Sequence, residues 1–229
     1  MVDSVGKRRI WFPVCGVLCV REPRIQQGHF YGRRKGKPLK AGRSAMLQDN
    51  SFLVRDAAAA AAFLQPYARR ELEIGFGNGE HLVAQAQCRP ETGFIGCEAF
   101  INGVSACLQQ MTTDNIRIWP DDALLLLSQL PEQSFDRIYL LFPDPWPKTR
   151  HHKRRFIQTD TTALLAGLLK PQGLLRLATD DPYLAQWMLL HGVQNPELLW
   201  TCFENADWRT APEDWVETRY QQKAGEQGR

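Results

Sequence analysis

Between residues 71 and 179 short apolar runs alternate with helix-like segments, and no other feature of the chain constrains its fold so strongly. ELEI (71–74), GFIGCEAF (93–100), NIRIW (115–119), FDRIYLLF (135–142) and LLRLAT (174–179) are strand candidates. HLVAQAQCR (81–89), NGVSACLQQM (102–111), ALLLLSQL (123–130) and FIQTDTTALLAGLLK (156–170) are the helices between them, the last closed by a turn at Pro171–Gly173. The run at 135–142 is apolar for most of its length, as a strand buried on both faces should be. Strict β-α alternation predicts an α/β fold with a mostly parallel central sheet and helices on both faces. An alanine-rich helix from about Asp56 to Pro66 precedes the first strand. From Pro182 onward the pattern is less regular, with LLWTCF (198–203) and WVETRYQQ (215–222) reading as a last strand and hairpin.

Charge separates the chain into two parts. Residues 1–45 hold eleven Lys and Arg against Asp3 and Glu22, within a chain whose net charge is only +3. The stretch GRRKGKPLKAGR (32–43) has no apolar period. We therefore expect a basic, flexible arm over 1–45 and one α/β domain over 46–229, a layout suited to nucleic acid. GKRR followed by IWFPVCGVLCV imitates a signal peptide, but no small-residue cleavage site follows, and REPR comes next. No apolar run is long enough to span a bilayer. The six cysteines form no CxxC pair. A cytoplasmic protein with reduced thiols and no metal is expected.

The first strand runs directly into Glu73-Ile-Gly75-Phe-Gly77-Asn-Gly79. Glycines there let the backbone turn sharply and let a ligand approach the main chain. The spacing is GxGxG, not the GxGxxG of dinucleotide binders, and an acid two residues before the first glycine is typical of a methyltransferase loop. Its carboxylate can attract the ammonium and sulfonium charges of S-adenosylmethionine. Glu98 lies 19 residues past Gly79, where an acid can bond ribose hydroxyls. Asp121 and Asp122 follow the third strand, and Asp122 is favoured for an adenine contact because it directly precedes a helix. Each acid alone reads more readily as a helix cap or a solvated carboxylate. Their common position at the carboxyl ends of successive strands favours the ligand reading.

The most specific stretch is LLFPDPWPKTRHHKRRF (140–156). Three prolines stiffen the loop around Asp144. Trp146 offers a plane for stacking a base. Lys148, Arg150, Lys153, Arg154 and Arg155 suit phosphate contact. His151 and His152 have no companions at metal-ligand spacing.

FPDPWPKTRHHKRR resembles the signature of the bacterial tRNA (guanine-N7)-methyltransferases. The similarity extends in order through YGRRKGKPLKAGR, ELEIGFGNGEH, GCEAF, DDA, LATDDPYLAQWM and ETRYQQKA. It implies a Rossmann-like domain that uses S-adenosylmethionine to form 7-methylguanosine at guanine 46 of the tRNA variable loop. It also implies that Glu73, Glu98 and Asp122 bind the cofactor, and that Asp144 serves both cofactor contact and activity. By the same resemblance Lys148 and Asp180 bind substrate, as do Thr218, Arg219, Tyr220 and Gln221, with Gln221 standing where the family usually has Glu. The competing readings are a methyltransferase of another RNA, a protein or a small molecule, and a non-catalytic RNA-binding module. A nucleotide-dependent dehydrogenase is more distant, given the glycine spacing.

Overall fold

The structure, a computed structural model, describes residues 8–11, 31–48, 50–204, 212 and 214–216, with the backbone alone for 8–11. These residues group into two compact units.

The unit over residues 31–131 holds helices α1 (Ala41–Ala45), α2 (Ala57–Leu64), α3 (Glu80–Cys88), α4 (Ile101–Gln110) and α5 (Ala123–Leu127). Its strands β2 (Arg69–Ile74), β3 (Thr92–Cys97) and β4 (Ile116–Trp119) lie in the order β4-β3-β2, paired in parallel. Parallel neighbours need a crossover between them, and α3 and α4 supply it. All six residues of β3 are buried. Its two glycines make room for what packs on it: a Cβ at Gly93 would lie 2.6 Å from the Tyr67 ring, and one at Gly96 2.4 Å from Leu82. Leu82, Val83 and Ala86 of α3, Val104, Cys107 and Leu108 of α4, and Phe94, Ile116 and Ile118 of the strands form the core. Asp56 caps α2 by accepting the Ala59 amide at 2.7 Å.

The unit over residues 132–215, with strand β1 (Arg8–Trp11), holds β5 (Phe135–Leu141), α6 (Thr159–Leu168), β6 (Leu169–Ala178), α7 (Pro182–Gln194) and β7 (Leu198–Trp200). Its strand order is β5-β6-β1-β7, again parallel. The sequence suggests an α/β fold with a mostly parallel sheet, and the pairings in both units have that character.

Three features differ from the sequence reading. Strand β1 and helix α1 lie in the basic N-terminal segment, where no regular element is expected; the pairing of β1 with β6 and β7 is non-local. Helix α7 occupies residues read as irregular. Its start carries a clear signal, since Asp181 caps it by accepting the Leu184 amide at 2.7 Å and Pro182 takes the first turn. The Pro171–Gly173 turn is a bulge inside β6 rather than a break before it: Phe135 faces Leu169, but Arg137 faces Leu174. Lys170 at the start of this bulge bonds Asp136 at 2.7 Å.

Two polar networks tie elements together. Asn115, 4% exposed, donates through Nδ2 to the carbonyls of Ala86 (3.0 Å), Arg89 (3.1 Å) and Thr92 (2.9 Å), joining the end of α3 to β3 and β4. In the other unit, the Asp214 carboxylate bonds Arg137 and Arg176, the latter at 2.8 Å. Both guanidiniums flank the buried Tyr139 ring, at 5.8 and 5.6 Å. Partial desolvation raises the Asp214 pKa, but the two arginines outweigh it and hold the carboxyl below its ordinary value.

Asn115→Ala leaves three carbonyls without this donor, and should destabilise the fold by about 3 kcal/mol in chemical denaturation. A loss below about 1 kcal/mol would remove the tie its structural importance. Because the folded Asp214 pKa is depressed, its stabilisation is present above the unfolded carboxyl pKa and fades as pH falls through the lower folded value. Asp214→Asn should therefore lower the melting temperature at pH 7, with the gap to wild type closing at strongly acid pH. A gap that stays constant would contradict the ionic role.

Candidate functional site

At the carboxyl ends of β2, β3 and β4 the first unit assembles Glu73, the glycine turn, Glu98 and Asp122. Gly75, Gly77 and Gly79 have φ of 72°, 60° and 87°, in the left-handed region that residues with a Cβ avoid. Gly79 is buried as the N-cap of α3, and a Cβ there would lie 2.4 Å from Cys107 Sγ. Gly75 and Gly77 are exposed, and no described atom lies within 4 Å of where their Cβ would be. They present bare backbone to the outside. The sequence missed a fourth glycine of this region. Gly103 on α4 brings that helix so close that a Cβ would sit 2.2 Å from the Gly77 carbonyl oxygen.

Glu98 braces the turn. Its Oε2 accepts the Gly77 amide at 2.8 Å and its Oε1 the Phe100 amide at 2.7 Å. A carboxylate oxygen can accept more than one bond, so ribose hydroxyls can still be received there. Glu73 is buried, 4% exposed, and its Oε2 lies 2.7 Å from Nδ1 of the buried His81. His81 is a further residue that the sequence reading passed over. Below the turn, burial and the charges of Glu73 and Glu80 push the Cys107 thiol up to about 12, so it acts as a neutral packing group.

Asp122 caps α5, its Oδ1 accepting the Leu124 amide at 3.0 Å. Burial raises its pKa, against the Leu124 bond and the Arg34 charge that lower it. Its neighbour Asp121 pairs with Arg34 of the basic segment. That segment is held on α4: Ile101 donates to the Arg34 carbonyl (3.0 Å), and Asn102 both accepts the Gly36 amide (2.8 Å) and donates to the Lys37 carbonyl (2.9 Å).

The second unit carries the loop after β5. Its Phe142 amide donates to the Ala178 carbonyl at 2.8 Å. Phe142 and Trp146 take φ of 50° and 42°, a strained conformation for bulky residues. Between them Asp144 is exposed, as are Lys148 and Asp180. A 3₁₀ turn, Thr149–Arg154, follows. Lys148, Arg150 and Lys153 are exposed and available to phosphates. Two expectations change here. Trp146 is half-buried, with Arg154 5.0 Å from its ring centroid and His151 5.8 Å away edge-on, so its ring already has protein neighbours. Arg155 is 4% exposed and is an internal group, not a surface phosphate ligand. Partial desolvation and the charges of Arg154, Arg150 and Lys148 hold the His151 imidazole below its ordinary pKa. Thr218, Arg219, Tyr220 and Gln221 lie outside the described residues. Among the described residues no cluster of His, Cys, Asp and Glu can hold a metal ion, and no helix is long and apolar enough to cross a membrane.

The glycine turn fits a cofactor with a peptide-like or nucleoside portion: exposed backbone for close approach, and Glu98 at its edge to accept hydroxyls.

Comparison with known proteins supplies the family. Residues 68–229 match the family described as "Putative methyltransferase". The tRNA (guanine-N(7)-)-methyltransferase of Rhodospirillum rubrum is 44% identical over 221 residues, covering 91% of this chain and 87% of that protein. Those of Azorhizobium caulinodans and Rhizobium meliloti are 43% and 42% identical, covering 89% and 87% of this chain and 92% and 90% of theirs. The crystal structure of the antibiotic-resistance methyltransferase Kmr aligns with 58% of this chain and 71% of its own, at 20% identity and a TM-score of 0.41. With such identity to these relatives over nearly its whole length, the chain belongs to the tRNA (guanine-N7)-methyltransferase family.

Proposed function

We propose that this protein is a cytoplasmic enzyme that transfers a methyl group from S-adenosylmethionine to N7 of a guanine in tRNA, forming 7-methylguanosine at position 46 of the variable loop. The observation that carries the reading is the glycine turn braced by Glu98, on a chain of this family. S-adenosylmethionine, when bound, supplies an electrophilic sulfonium methyl. Gly75 and Gly77 offer it backbone, Glu98 receives its ribose hydroxyls, Asp122 stands for the adenine, and Glu73 contributes negative charge beneath the turn.

Guanine N7 is an unprotonated acceptor at neutral pH, so this chain need not supply a general base. As the methyl–N7 bond forms, the methyl–sulfur bond would break, its electron pair returning to sulfur to leave a neutral thioether, so positive charge would pass to the purine. Asp144 is suited to orient the base and stabilise that charge, and no proton has to leave through it. By the family pattern it also has a role on the cofactor side. Lys148, Arg150 and Lys153 are exposed cations for the tRNA backbone. Asp180 and the segment Thr218–Gln221 are assigned to the guanine. Gln221 can still bond a base edge, without the charge that Glu would bring. Phosphate contacts alone carry no sequence choice, so the selected guanine must also be recognised through loop shape and an unstacked base.

Incubation with labelled S-adenosylmethionine and unmodified tRNA, then digestion to nucleosides, tests the reading. Label should appear in 7-methylguanosine from the variable loop. Label in another nucleoside would overturn the N7 assignment, and label in a protein or small molecule would overturn the tRNA assignment. Asp144→Asn should lower kcat by about a hundredfold or more while changing S-adenosylmethionine affinity only a few-fold. An Asn variant with near-normal turnover would contradict the charge-stabilising role.

A further inference from the structure

Arg155 closes the basic run 148–155, yet it lies in a different environment from its neighbours. Lys148, Arg150 and Lys153 are exposed, while Arg155 is 4% exposed. Its Nε donates to the Pro145 carbonyl at 2.9 Å. Its guanidinium carbon lies 4.9 Å from the centroid of the Trp187 ring. That indole is itself fixed: Nε1 donates to the Ile157 carbonyl at 2.7 Å, and its ring packs against His152 at 5.3 Å and His191 at 4.6 Å. The Arg155 main chain is tied as well. Its amide donates to His152 at 3.0 Å, and its carbonyl accepts Gln158 Nε2 at 3.0 Å, where Gln158 starts α6.

Desolvation holds the guanidinium pKa below its ordinary value, with the Asp181 charge acting the other way. A cation that needed only to meet phosphate would gain nothing from this burial. The loop it touches has an unusual need. Pro143, Pro145 and Pro147 have no amide to donate, so backbone bonding can do little to fix it. The loop nonetheless holds Phe142 and Trp146 in left-handed conformations, which strain residues with a Cβ. The carbonyl that Arg155 grips belongs to the residue directly after Asp144.

We propose that Arg155 is a positioning residue: it sets Asp144 by anchoring the Pro145 carbonyl to the Trp187-bearing helix α7, and it is not one of the phosphate-binding cations of the run. The proposal rests on the reading of Asp144 as the carboxylate that serves the reaction. Lysine is a poor replacement, because it keeps the charge but loses the planar group and its fixed N–H direction.

The test compares Arg155→Gln, Arg155→Lys and Lys153→Ala with wild type. It reads kcat, KM for unmodified tRNA, the salt slope of tRNA binding, and tryptic cleavage within 148–154 in the absence of tRNA. Both Arg155 variants should lose about tenfold or more in kcat, with KM within about threefold and an unchanged salt slope. Both should be cleaved several-fold faster in the loop at a melting temperature near that of wild type. Lys153→Ala should instead show a salt slope shallower by about one and a raised KM for tRNA. Recovery of kcat by Arg155→Lys would overturn the proposal, as would a reduced salt slope in Arg155→Gln or an unchanged cleavage rate. If Arg155→Gln does not fold, the Lys variant decides by the same criteria. If wild type forms no 7-methylguanosine, the functional reading fails, while cleavage still shows whether Arg155 holds the loop.

Discussion

The carboxylate of Glu98 is the constraint on which the first unit's ligand edge depends. One oxygen holds the Gly77 amide and the other the Phe100 amide, so a single side chain fixes both the glycine turn and the start of α4. The main chain around it completes the arrangement: the Glu98 amide donates to the Trp119 carbonyl at 3.1 Å and the Gly75 amide to the Cys97 carbonyl at 2.8 Å. The ends of β2, β3 and β4 are thereby locked at one level. Gly103 then lets α4 close on the Gly77 carbonyl, and Gly79 lets α3 begin over Cys107. Close packing demands glycine at Gly79 and Gly103, while positive φ favours it at Gly75 and Gly77, whose exposed backbone suits the proposed ligand.

Much of that edge was legible in the sequence. The spacing of Gly75, Gly77 and Gly79 after an apolar run, and an acid 19 residues further on, point to a strand-turn-helix and its partner strand before any coordinates are known. Gly103 was not legible, because nothing local marks a glycine whose purpose is contact with a carbonyl 26 residues earlier. The strand Arg8–Trp11 was hidden for a related reason: its partners, in β6 and β7, are remote in sequence. Helix α7 was a different kind of omission, since Asp181-Pro182 is a start signal that its less regular apolar pattern obscured.

The loop after β5 shows where sequence reading reaches its limit. Composition presents Lys148, Arg150, Lys153, Arg154 and Arg155 as one basic surface. Burial sorts them: three are exposed, Arg154 lies against Trp146, and Arg155 is internal. Charge counts cannot separate a cation that meets phosphate from one that braces a proline-rich loop. Trp146 likewise reads as a free stacking plane until its neighbours Arg154 and His151 are seen. In the same unit, the single Asp214 carboxylate bonds both arginines that flank Tyr139, while Lys148, Arg150 and Lys153 lie exposed.

The most direct test of the central claim, that the Glu98-braced turn is the seat of the methyl donor, is calorimetric titration of S-adenosylmethionine into wild type and Glu98→Ala. The account predicts one site per chain in wild type and an affinity at least about tenfold weaker in the variant, since charged hydrogen bonds to both the turn and the ribose are lost. Equal affinity in the two proteins, with the fold of the variant intact, would contradict it.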